Sequence, residues 1–129
     1  MKKKILFIDD DEDLLRSFQV TLESKGYEVI PISNGKEGFS RLKTEKPDLL
    51  VLDVMMESEL EGYNLLHVIK KEAEFTDLPI IILTGMVDQL GVNLYSGVED
   101  MPMLPNVKYQ DKPIDPLALI DLIENTLKS

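Results

Sequence analysis

Pro47-Asp48-Leu49-Leu50-Val51-Leu52-Asp53-Val54-Met55-Met56 is the stretch from which the fold can be read. Leu49 to Leu52 is a short, unbroken apolar run of branched residues. Such a run suits a strand buried on both faces, as parallel sheets require. A carboxylate, Asp53, stands directly at its C-terminal end. In open α/β sheets ligands bind outside the carboxyl ends of the strands, so Asp53 is where a reactive group belongs.

Working outward, two more apolar runs and one mixed segment repeat the pattern. Ile5-Leu6-Phe7-Ile8 runs into Asp9-Asp10-Asp11-Glu12-Asp13, Ile80-Ile81-Ile82-Leu83 ends at Thr84-Gly85, and Val107 to Gln110 ends at Asp111-Lys112-Pro113. Tyr27 to Ile32 completes a set of five strands. Between them lie stripes at helical spacing: Leu14, Leu15, Phe18 and Leu22; Gly38, Phe39 and Leu42; Gly62, Leu65, Leu66, Ile69 and Ala73; and, last, Leu117, Ile120, Ile123 and Leu127. Apolar residues three and four apart bury one face of a helix. Gly26 is a stop for the first helix. Ser33-Asn34-Gly35 caps the second, and Asp115-Pro116 starts the last, proline being suited to the first helical position. Residues 85–106 hold three Gly, two Pro and three Met with no clean period. They are compatible with a short helix or with an irregular loop. β-strands alternating with helices predict a parallel sheet covered on both faces, and right-handed crossovers make it a doubly wound α/β domain.

Composition bounds the function. The chain has 129 residues, expected to form a single domain over 1–129. Its 14 Lys plus Arg against 24 Asp plus Glu give a net charge of -10. That argues against a nucleic-acid partner, which needs a basic patch. The absence of cysteine excludes disulfides and thiolate chemistry. No apolar run reaches membrane-spanning length, and the acidic cluster after Ile8 is incompatible with a signal peptide. These features point to a cytoplasmic protein without a membrane partner.

The residues at the strand ends form one constellation: Asp9 and Asp10, Asp53, Thr84 and Lys112. Three carboxylates brought together repel one another unless they hold a hard divalent cation, and Mg²⁺ suits such a site best. A lysine and a hydroxyl beside it would complete a pocket for a transferring phosphoryl group, with Asp53 as the attacking carboxylate.

These four segments, in this order, resemble the response-regulator receiver domains of two-component signalling. The resemblance implies a flavodoxin-like sheet of order 2-1-3-4-5. It implies that Asp53 is the phospho-acceptor, that Asp10, Asp53 and the Met55 carbonyl bind Mg²⁺, and that Asp9 assists through water. It makes Thr84 the switch hydroxyl, Lys112 the partner of the phosphoryl oxygens, Tyr109 the aromatic switch, and Lys112-Pro113 a cis bond. The partners it implies are a histidine kinase or phosphotransfer protein, and a downstream protein. The downstream protein would read the face of the fourth helix, strand 5 and the fifth helix. Such a domain accepts and loses its own phosphoryl group and is not an enzyme acting on an external substrate.

The chain departs from the family pattern in five places, one of them the 28-residue step from Thr84 to Lys112, which is longer than usual. Glu57 replaces the usual proline after the acceptor, and Gly62 comes one residue late. Gly85 stands where alanine is common, and Met101-Pro102-Met103-Leu104-Pro105 replaces the usual segment before strand 5. Competing readings fit less well. A haloacid-dehalogenase-type phosphatase would use Asp9, Asp11, Thr84 and Lys112 but leaves Asp53 without a role and lacks a final acidic pair. A nucleotide- or flavin-binding module needs a Gly- or Ser-rich loop after strand 1, where three aspartates stand instead. A receiver-shaped interaction module that is never phosphorylated would not need the acidic pocket, but the altered loop after Asp53 keeps it as the alternative. Asp11 and Asp13 read as charges favoured by the start of a helix, and His67 as a surface residue within the third helix.

Overall fold

The computed structural model describes residues 2–53, 71–84, 107–111 and 115–128, together with Leu65, Val68 and Ile69. Five strands, β1 (Lys4–Ile8), β2 (Glu28–Ile32), β3 (Leu49–Asp53), β4 (Ile80–Thr84) and β5 (Val107–Asp111), form one sheet in the order β2-β1-β3-β4-β5. Every pairing is parallel. The expected doubly wound order is therefore the observed one.

Side chains on a strand alternate between faces, and this divides the core into two apolar layers. Leu6, Ile8, Leu50, Leu52, Ile80 and Ile82 pack with Leu42 of α2 (Gly35–Glu45), and with Leu65, Ile69 and Phe75. Ile5, Phe7, Leu49, Val51, Ile81 and Leu83 pack with Leu15, Phe18 and Leu22 of α1 (Glu12–Ser24) and with Leu119, Ile120 and Ile123 of the C-terminal helix (Pro116–Lys128). Phe7 stacks on Phe18 with ring centroids 5.5 Å apart. Each such side chain, fully buried, stabilises the fold by about 1.5–3 kcal/mol before entropy is counted.

The helix ends are chemically defined. Asp11 caps α1 by accepting the Leu14 N–H at 3.1 Å. Beyond the C-cap Lys25, Gly26 takes φ 95°, a left-handed conformation that glycine adopts without steric cost. Asn34 caps α2 by accepting the Glu37 N–H at 2.8 Å, and its amide reaches back to the Glu37 carboxylate at 3.4 Å, a variant of the reciprocal capping box. Asp115 accepts from the Ala118 N–H at 3.4 Å, with Pro116 as the first helical residue, as read from the sequence.

Three readings are corrected. Tyr27 precedes β2 rather than opening it. Ala73 stands in a 3₁₀ turn (Ala73–Phe75), whose last residue, Phe75, is buried instead. In the C-terminal helix Leu117 is 60% exposed, and Leu119, fully buried, takes its place with Ile120 and Ile123. On a regular helix the core face centres near Ile123, with Leu119 and Ile120 on either side, and Leu117 lies about 120° from that centre.

Edge strand β2 carries Pro31, paired in register with Phe7. Proline has no N–H to donate and is tolerated only where one side of the strand is unpaired. The start of β3 is fastened to β1 by a reciprocal pair: the Lys4 N–H donates to Asp48 Oδ2 at 2.8 Å, and the Asp48 N–H to the Lys4 carbonyl at 2.8 Å.

Candidate functional site

The site is built by register. Ile8 of β1 is level with Leu52 of β3, so the next residues, Asp9 and Asp53, emerge side by side at the C-terminal edge. Asp9 continues the alternation of Ile5 and Phe7, and Asp53 that of Leu49 and Val51, so both belong to the same face. Asp9 is fully buried, Asp53 is 1% exposed, and Asp10 is half-buried. One carboxylate oxygen from each of Asp9, Asp10 and Asp53 can be chosen so that all three lie within 4.8 Å of one another.

Backbone contacts hold Asp9 in place. Its N–H donates to the Ile32 carbonyl at 3.0 Å, and its Oδ1 accepts the Asp11 N–H at 2.9 Å. Asp11 is thus not part of the carboxylate group, in keeping with its reading as a helix-start residue. The sequence could not show that its backbone also supports Asp9.

The donor set fits Mg²⁺. Oxygens bound to one Mg²⁺ at about 2.1 Å lie at most about 4.2 Å apart. Separations within 4.8 Å are close to that limit, so the three aspartates could hold such an ion. Carboxylate oxygens are the hard donors such a cation prefers.

Thr84 is the last residue of β4 and is level with Asp111, the last of β5. Asp53 is level with Leu83, which sets Thr84 one position beyond it on the neighbouring strand. Tyr109 pairs with Ile82 within β5. Met55, Lys112 and the Lys112-Pro113 bond lie outside the described residues, as do Glu57, Gly62, Leu66, His67 and residues 85–106. At the opposite end of the sheet a cavity of about 420 Å³ is lined by Pro47, Asp48, Phe75, Leu78 and Pro79 among others. None of the residues singled out for chemistry lines it.

A parallel sheet of this order with a carboxylate pocket at the ends of its first and third strands defines a class, the receiver domain of response regulators. The chain belongs to that family, whose profile, the response regulator receiver domain, matches residues 5–124. Domains of this class are switches of two-component signalling rather than turnover enzymes, and they generally bind Mg²⁺ at an acidic aspartate cluster. Among particular relatives, the alkaline phosphatase synthesis transcriptional regulatory protein PhoP of Bacillus subtilis (strain 168) is 37% identical over 120 residues, covering 90% of this chain and 45% of that protein. The probable transcriptional regulator ycf27 of Porphyra purpurea is 38% identical over 129 residues, 98% of this chain and 48% of its own length. The chain therefore spans about half the length of the curated relatives it matches. A CheY-like response regulator receiver domain protein from Methanospirillum hungatei JF-1 superposes with a TM-score of 0.81 at 28% identity, covering 99% of this chain and 95% of the other. Chemotaxis response regulator CheY4 of Vibrio cholerae does so with a TM-score of 0.79 at 20% identity over 98% and 99%, a likeness of fold. No described helix is long and apolar enough to cross a membrane.

Proposed function

We propose that residues 1–129 form one receiver domain that takes a phosphoryl group onto Asp53. The observation that carries this reading is the placement of Asp53. It is a carboxylate 1% exposed at the end of a central strand, grouped with Asp9 and Asp10. The donor is a phosphohistidine on a kinase or phosphotransfer protein. An Asp53 carboxylate oxygen attacks phosphorus, and an acyl phosphate O–P bond forms as the histidine N–P bond breaks. The imidazole nitrogen keeps the electron pair and takes up a proton. Hydrolysis later returns inorganic phosphate and the free carboxylate.

Asp10, Asp53 and the Met55 carbonyl would hold Mg²⁺, with Asp9 acting through its water. Bound there, the ion neutralises the charge that gathers on the phosphoryl oxygens. Asp9 and Asp10 keep the site acidic until it is filled, and the buried floor of β1 and β3 keeps bulk water from the acceptor. Lys112 pairs with the phosphoryl oxygens and Thr84 donates its hydroxyl to them. The phosphoryl group adds about -1.5 to -2 charges at one point. Thr84 and Lys112 gain contacts that the free state lacks, and Tyr109 follows into the vacated space. The surface made by β5, the C-terminal helix and the segment before β5 then shifts between two populations, and a downstream protein reads it. A cytoplasmic setting suits such a relay. The chain's charge of -10 disfavours direct contact with nucleic acid by these residues.

The test is intact mass after incubation with acetyl phosphate and Mg²⁺, beside Asp53→Asn and a chelator control. One added phosphoryl group, absent from both controls, is the expected result. A folded protein that gains no adduct and binds no beryllofluoride would replace this reading with that of a non-phosphorylated interaction module.

A further inference from the structure

We infer that Asp11 is a positioning residue for the acidic pocket, acting through its helix cap rather than through its charge. The inference rests on the Mg²⁺-dependent reading above and extends it to a residue outside the ligand set. Two hydrogen bonds meet at this one residue. The Asp11 side chain accepts the Leu14 N–H at 3.1 Å, and the Asp11 main-chain N–H donates to Asp9 Oδ1 at 2.9 Å. The cap holds Asp11 in an extended conformation, φ -85° and ψ 98°, while its carbonyl accepts the Leu15 N–H at 3.0 Å, the first bond of α1.

The orientation of that N–H is therefore fixed from the helix side. The N–H in turn fixes one oxygen of a fully buried carboxylate. Asp9 is also anchored at its own N–H, which donates to Ile32. Its main chain is thus anchored on β2, and one oxygen of its carboxylate on the start of α1. Asp9 acts on the ion through water, and disturbing such an outer-shell partner commonly costs about 10–100-fold in metal affinity. α1 packs through Leu15, Phe18 and Leu22 onto β1 and the C-terminal helix, so the support is rigid.

Charge and cap make opposite forecasts for substitution. Asp11→Ala removes both. Asp11→Asn and Asp11→Ser remove the charge but keep an oxygen that caps. Ile5→Val, at the far end of β1, lowers stability without touching the pocket.

The experiment is calorimetric Mg²⁺ titration of the four variants and the native chain in 0.5 M KCl, where a Debye length of about 4 Å screens exposed charges. Thermal unfolding in chelator serves as the stability readout. Asp11→Ala is expected to weaken Mg²⁺ about tenfold, the lower end of the cost of losing an orienting partner. Asp11→Asn, Asp11→Ser and Ile5→Val are expected to stay within about twofold of the native chain. Equal weakening of Asp11→Ala and Asp11→Asn would show that charge is what matters and overturn the inference. So would an Asp11→Ala protein with native affinity, or an Ile5→Val protein weakened as much as Asp11→Ala. A native chain that binds no Mg²⁺ would instead sink the metal-dependent reading, and this inference with it.

Discussion

Gly38 of α2 lies against Ile8, the residue immediately before Asp9, so an alanine there tests how tightly the floor of the site is packed. A Cβ at Gly38 would stand 2.5 Å from Ile8 Cδ1 and 3.2 Å from Ile8 Cγ1, against an optimum of about 3.5–4.0 Å for carbon pairs. Ile8 is fully buried, so its terminal methyl can swing aside only by displacing neighbours. Overpacking of this kind costs about 1–3 kcal/mol. Alanine returns roughly 0.8–1 kcal/mol of helix propensity relative to glycine. The expected net effect of Gly38→Ala is a loss of about 1 kcal/mol.

Ile8→Val deletes the clashing methyl and by itself costs about 0.5–1.5 kcal/mol. In that background Gly38→Ala should cost nothing or stabilise slightly, giving a coupling of about 1–2 kcal/mol between the two sites. Urea unfolding followed by far-ultraviolet circular dichroism, with slopes compared across the cycle, measures it. Additivity within about 0.5 kcal/mol would refute the claim that α2 is seated on Ile8 at contact distance.

Three further outcomes are expected. Leu119→Ala should cost about 2–5 kcal/mol, whereas Leu117→Ala, at a residue 60% exposed, should stay within about 0.5 kcal/mol; equal losses in urea unfolding would contradict the orientation of the C-terminal helix. The Glu45 carboxyl is held below its ordinary range by hydrogen bonds from Arg41 first and then Lys4. Its depressed folded-state value means that its contribution is present above the unfolded carboxylate range and lost as pH falls through the folded one; the stability gap between native and Glu45→Gln proteins should close on acidification and shrink in salt, and a pH-independent gap would contradict this. Mg²⁺ at about 100 times its dissociation constant should raise stability by about 2.7 kcal/mol, a rise in Tm of roughly 10 °C for a domain of this size, and scanning calorimetry that showed no shift would exclude binding at the carboxylate group.

The sheet was legible because its strands advertise themselves. Ile5 to Ile8, Leu49 to Leu52 and Ile80 to Leu83 would each need both faces buried, and only a parallel sheet between two helical layers provides that. Every residue of the three runs is at most 1% exposed. The pairing of Asp9 with Asp53 was legible for the same reason, since each follows its apolar run without a gap. Helix faces were less legible at their ends. Leu117 and Leu119 are equally apolar, and only the approach of the helix to the sheet decides between them. Ala73 continued the stripe of Leu65 and Ile69, yet the chain tightens there into a 3₁₀ turn that buries Phe75. The reciprocal bonding of Asp48 with Lys4 depends on a register that no local pattern encodes. The same is true of the Asp11 N–H, because main-chain donors carry no signature in the identity of the side chain.

Pro31 on β2 has a consequence for the protein in a crowded solution. An outermost strand is a template on which a second molecule can lay a strand of its own, and repetition of that step builds a fibre. An imide nitrogen within a five-residue edge leaves a gap in the row of donors that an incoming strand would need. With exposed Glu28 on the same strand, a matching chain would also meet like charge. Growth of the sheet past β2 is thereby opposed by the main chain itself, whatever side chains an incoming strand carries.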